Sequence, residues 1–283
     1  MAISSIGGTL GGVVGPPVVG LLIVVLGWRQ TWGVMGAVLL VVMVPVILLF
    51  MRSRPETMGL RPDGDPPVGS EAQGQNGRSS NADEPSWTLK EAMRTRTLWL
   101  IILAFDLTGL AVGGVLSILV PFLVKQEGMS LAGAGWVLSG FMAGATVSRL
   151  IWGFLVERIS VRVCFSVILF VRGIAALSLF LVPFPWNIGG YLLFSGVLGG
   201  SIGLIQPLML GEYFGRESFG RIQGMVRPFL ALPQLGGPLL LAWMSEVTGS
   251  FSLGFALSAA LAIAGAGVAL FATRPVRTSA PAL

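Results

Sequence analysis

Apolar residues run in blocks of about 20 along this chain, and polar residues collect in the gaps between the blocks. At 1.5 Å per residue a block of that length matches the roughly 30 Å hydrocarbon core of a bilayer, so each reads as a membrane-crossing helix. The pattern predicts about eight spans, at residues 6–26, 32–51, 98–124, 131–156, 161–182, 188–210, 222–245 and 251–273. Membrane β-strands alternate over roughly 10 residues, which these unbroken runs do not. The fold class expected is an all-α integral membrane bundle.

The gaps orient it. Residues 148–162, SRLIWGFLVERISVR, put Arg149 inside an apolar run and then crowd Glu157, Arg158 and Arg162 into a short hairpin. By the positive-inside rule that hairpin is cytoplasmic. Alternation then sends Arg52, Arg54, Arg61, Arg78, Lys90, Arg94, Arg96, Arg216, Arg221, Arg274 and Arg277 to the same side, leaving only Arg29 and Lys125 opposite, and both termini inside. Between the second and third spans lies a polar segment, 52–97. Its middle, 66–85, is rich in Gly, Pro, Ser and Asn and reads as a disordered linker. Its end, SWTLKEAMRTRTLW, predicts a short interfacial helix with Ser86 as N-cap, Leu89 and Met93 on the apolar side and Lys90, Arg94 and Arg96 on the polar side.

Composition narrows the function. Only 11% of the 283 residues are charged against roughly 25% in soluble domains, while 54% are hydrophobic, so the surroundings are lipid. The net charge of +5 sits in loops on one side, which accounts for it without nucleic acid. With Cys164 the only cysteine and no histidine, an intrachain disulfide, a zinc site and imidazole catalysis are excluded. No enzyme, no metal and no cofactor are expected. Met1 is followed by no basic region and no A-x-A site, so no cleavable signal peptide is expected.

Two helices, a long cytoplasmic loop and six helices with a basic hairpin after the second of them resemble helices five to twelve of a major facilitator superfamily transporter. Gly153-Phe-Leu-Val-Glu157-Arg158-Ile-Ser160-Val-Arg162 resembles that family's G-x-x-x-D-R-x-G-R-[KR] loop, with Glu for Asp and Ser160 for the turn glycine. Gly11, Gly15, Pro16 and Gly20 resemble its glycine-proline motif in the fifth helix. RPETMGLRPDGD at 54–65, Glu212 to Arg221, Gly236-Gly237-Pro238 and Glu246-Val-Thr-Gly249-Ser-Phe251 resemble the monocarboxylate transporter and oxalate:formate antiporter branch. The resemblance implies twelve helices, of which the first four are missing here. Residues 1–51 would then be the last two helices of an incomplete N-terminal bundle, 52–97 a cytoplasmic linker, 98–273 a complete six-helix bundle and 274–283 a cytoplasmic tail.

It also implies secondary transport of a small organic anion by alternating access, proton-coupled or by exchange, in the plasma membrane. The alternative is a truncated, non-transporting membrane fragment. An arginine four residues before the loop-motif glycine, here Arg149 before Gly153, is implied in carboxylate binding in that branch; the aspartate it often carries four residues earlier is Ala145 here. A guanidinium holds a carboxylate by two parallel charge-assisted bonds, which makes Arg149 the strongest anion anchor. It snorkels or pairs with Asp106 otherwise. Asp106, about 12 Å into its span, is a coupling proton carrier or the structural partner of Arg149. Gln206, Arg227 and Gln234 fall on helices that line the family's cavity, and are candidate polar contacts. Arg172 is mid-span on a helix the family places outside the cavity, and reads as structural. Gly153, Glu157, Arg158 and Arg162 form a candidate conformational latch, meeting helix C-termini and acids in one state and losing them in the other.

Overall fold

The computed structural model describes residues 2–50, 87–215 and 218–275. The predicted linker 66–85, Ser86, the loop motif at 54–65, Arg216 and the tail from residue 276 lie outside the described residues.

The helical expectation holds. The elements are α1 (Ala2–Leu26), α2 (Trp28–Phe50), α3 (Leu89–Arg94), α4 (Arg96–Lys125), α5 (Leu131–Val156), α6 (Val161–Leu181), α7 (Trp186–Tyr191), a π-helical segment (Leu192–Leu198), α8 (Ile202–Phe214), α9 (Phe219–Thr248) and α10 (Ser252–Phe271). No strand occurs among the described residues. Among them seven helical runs are long and apolar enough to cross a membrane; α1, 25 residues long, adds the apolar stretch Val14–Leu26. The chain is a multi-pass membrane protein.

By internal contacts it divides into two compact units, one of Met1–Val18 with Pro85–Leu283 and the other Val19–Glu84. In the smaller unit the apolar stretch of α2 is only 6% buried, with Val41 and Leu48 more than 70% exposed. Such a surface is stable against lipid tails and not against water. Trp28 carries the Arg29 guanidinium 5.0 Å from its ring centroid, and both it and Trp32 are exposed at the start of α2, where amphipathic rings anchor at a membrane interface.

The larger unit has a packed interior in two clusters. One gathers Phe105, Phe165, Met209, Phe214 and Ile222, with Phe105 and Phe165 stacked at 4.3 Å. The other gathers Phe122, Phe141, Tyr191, Leu241 and Phe255. α4 packs on α9 and α10, α10 on α6, and α5 on the π-helical segment. Gly237 sets the distance between α4 and α9: a Cβ there would fall on the Leu110 carbonyl oxygen. Helices lacking a hydrophobic driving force in lipid use such small residues to bring backbones together.

Two expectations are corrected. The sixth predicted span, 188–210, is not one continuous α-helix; it passes from α7 through the π-helical segment, breaks at 199–201 and resumes as α8. The Gly199-Gly200 pair weakens the helix there, and three neighbouring groups hold the break open. Trp152 Nε1 donates to Leu198 O at 2.6 Å, Arg172 Nε to Gly199 O at 2.6 Å, and the Ser201 hydroxyl to Ser148 Oγ at 2.9 Å. Gly200 lies so close to α5 that a Cβ would fall on Ala145 Cα.

The second correction concerns the interfacial helix. Its N-cap is Thr88 rather than Ser86: Glu91 N–H donates to Thr88 Oγ1 and Thr88 N–H donates to the Glu91 carboxylate, a T-x-x-E capping box that satisfies two otherwise orphaned donors. Its inner face is Trp87, Leu89 and Ala92, while Met93 is exposed. Trp87 N–H donates to Phe214 O at 3.2 Å and its ring meets Phe214 edge-on, which docks this end of the linker on the end of α8.

Candidate functional site

A cavity of about 370 Å³ opens between α4, α8 and α9. Three glycines are in its wall: a Cβ on Gly109 or Gly113 of α4 would meet Gln234 of α9 at 3.5 and 3.0 Å, so these two let the helices approach, while Gly203 on α8 faces open space. Its apolar wall includes Phe105, Val112 and Leu230, and its polar groups are the Thr108 hydroxyl and the amides of Gln206 and Gln234. Thr108 spends its proton on Ala104 O at 2.9 Å. Gln206 Nε2 is buried without a hydrogen-bond partner. A buried amide donor left open beside a cavity is a group waiting for water or a ligand. No charged side chain lines the space, so it offers hydrogen bonds in a neutral setting.

The structure thus brings together two of the five residues expected to meet substrate, Gln206 and Gln234. Asp106 is half-buried on α4, next in sequence to the lining residue Phe105, and its Oδ1 is buried with no partner. Arg149 is exposed on α5, about 10 Å of helix from its C-terminal end, beside the buried Ser148. It makes no hydrogen bond or ion pair among the described residues, so the pairing with Asp106 is not formed. Arg227 is exposed on α9, three residues before Leu230 and seven before Gln234, which places all three within one helical stripe.

That stripe contains a residue sequence reasoning passed over. Gln223, four residues before Arg227, continues it, and its Oε1 is buried without a partner. The 4-3-4 spacing of Gln223, Arg227, Leu230 and Gln234 is legible in the sequence once α9 is taken to begin near Ile222. Gly109 and Gly113 had no such signal, since a glycine that lines a cavity and one that only packs a helix look alike.

The hairpin between α5 and α6 is exposed. Glu157 caps α5, and the Arg158 guanidinium lies 4.4 Å from the ring centroid of Phe154. Ser160 precedes α6 without a side-chain cap bond, and Gly153 has open space around it. Arg162 lies within electrostatic range of Tyr213, together with Glu212 and Arg274. Tyr213 in turn donates its hydroxyl to Ala272 O at 3.1 Å. The candidate latch therefore sits at the bundle end where α6, α8 and α10 meet.

A chain with this architecture is a helical membrane bundle with a neutral, mostly apolar cavity between its helices. The sequence profile of the Major Facilitator Superfamily matches residues 1–210 and, in a second alignment, residues 107–282, and the chain belongs to that superfamily. It is 30% identical over 186 residues to the nitrite extrusion protein of Bacillus subtilis (strain 168). The aligned stretch covers 62% of this chain and 44% of that protein, so the chain spans less than half the length of this curated relative.

Proposed function

We propose that the chain serves secondary active transport of a small organic anion, a carboxylate, by alternating access and without a bound cofactor. The observation that carries this is Arg149, a guanidinium within a membrane-crossing helix that has no partner among the described residues. An unpaired cation at such a depth favours an anionic ligand, and its planar fork matches two equivalent oxygens. The branch of carboxylate transporters that the loop and helix-end motifs resemble supports the same reading. Gln206, Gln234 and Arg227 supply further polar contacts, and Asp106, with its open Oδ1, is the group available to couple proton movement; exchange is the alternative coupling.

A second reading is favoured by the relative's printed activity. Nitrite shares with a carboxylate a single negative charge over two oxygens, and the same guanidinium suits both. In either case residues 98–273 act as a six-helix bundle, 1–51 contribute two helices of a partner half, and 52–97 link them on the cytoplasmic side of the plasma membrane, with both termini cytoplasmic. Glu157, Arg158 and Arg162 act as the conformational latch.

Uptake of radiolabelled formate, oxalate and nitrite into cells tests this, using the chain alone and a form extended by four N-terminal spans. The extended form transports one of these anions, and Arg149→Ala abolishes uptake at unchanged membrane abundance. Retained uptake by that variant removes the anchor. Uptake by neither form leaves the chain as a non-transporting fragment.

A further inference from the structure

We infer that Arg172 holds one chloride-sized anion in a small pocket at the middle of the bundle, distinct from the larger cavity between α4, α8 and α9. Arg172 lies 11 residues into α6, about 17 Å of helix and so near the depth where a charge in a bilayer is most costly. It is only 6% exposed. Its Nε donates to Gly199 O at 2.6 Å, but its Nη1 is buried with no partner. Among the described residues no carboxylate meets it, so the guanidinium charge is uncompensated.

Beside it a pocket of about 20 Å³ is lined by Arg172, Tyr191, Ser195 and Ser258 with small alanine neighbours. That is room for one sphere of roughly water or halide size, since a single water needs about 10–15 Å³ on the same measure. The polar groups favour an acceptor. Ser258 commits its proton to Gly254 O at 2.8 Å. Tyr191 and Ser195 add two hydroxyls to the lining, each able to donate. An unpaired guanidinium N–H and these hydroxyls thus border one small pocket. A water satisfies the hydrogen bonds; a halide satisfies them and neutralises the charge as well.

The site is tested on the full chain purified in detergent, by tryptophan-fluorescence unfolding in sodium chloride, bromide and gluconate at equal ionic strength. The expected result is a saturable rise of the midpoint by a few degrees in chloride and bromide but not in gluconate. Arg172→Gln abolishes the rise. Should that variant not fold, the double variant Tyr191→Phe with Ser195→Ala raises the halide concentration needed for half the effect by about ten-fold or more. Bromide-soaked crystals add a direct readout, with an anomalous peak beside Arg172 Nη1. A midpoint indifferent to halide, a variant that responds as the wild type does, or a water at that position overturns the proposal.

Discussion

The cavity between α4, α8 and α9 encloses about 370 Å³ and the pocket around Arg172 about 20 Å³, yet the two share Val112 in their walls. The larger one is lined by neutral amides, of which Gln234 is exposed, and by glycines that let α9 pack close to α4. The smaller one surrounds a guanidinium with alanines and serines and admits no more than one small sphere. The difference teaches how one bundle holds neutral and charged polar groups differently. The neutral amides line a space large enough for a ligand. The one charged group of the smaller pocket is buried and tied to a backbone carbonyl, Gly199 O at the broken helix.

That contrast is broken most severely by adding volume at its two seams. Gly200→Leu drives a side chain into Ala145 and Gly237→Leu drives one into Leu110 O, both rigid backbone neighbours. Each is expected to eliminate the monodisperse peak in fluorescence size-exclusion chromatography, since overpacking against backbone has no cheap relief. Next comes Arg172→Ala, which leaves Gly199 O unsatisfied and empties a buried volume; a loss of about 2–4 kcal/mol and a lower unfolding midpoint are expected. Gln206→Ala and Gln234→Ala sharpen the comparison from the other side. They are expected to stay within about 0.5–1 kcal/mol of the parent in stability while raising the KM of uptake by about ten-fold. Equal stability losses at Arg172 and Gln206 would erase the distinction between the two pockets. The smallest effect belongs to Thr88→Ala, expected to cost about 1 kcal/mol, confined to faster amide exchange at Leu89 to Glu91.

Much of the scaffold was legible in the chain. The span predicted at 131–156 coincides with α5, and those at 98–124, 161–182 and 251–273 agree with α4, α6 and α10 to within two residues at each end. Length and hydropathy suffice for this, because in lipid every backbone group must be satisfied within its own helix. Of the site, the Gln206 and Gln234 amides were found from their positions on cavity-lining helices, and both line the cavity. Gln223 was missed although its spacing from Arg227 was readable. Arg172 was read as structural, paired with a neighbour's carbonyls or acid; it donates to Gly199 O, while its open Nη1 and the pocket beside it had no signature in the pattern.

What the sequence by itself determined is therefore the limits of most of the crossings, the basic hairpin between α5 and α6, and the list of charges within the apolar runs. These follow from one-dimensional properties: run length, polarity and spacing. Only the tertiary structure decided that the crossing at 188–210 breaks at 199–201, that Arg149 and Asp106 are not paired, and that one buried arginine keeps a free N–H beside a small pocket. Those depend on how far apart two backbones pass, and that distance is set by glycines and alanines on different helices meeting face to face, a pairing no single helix records.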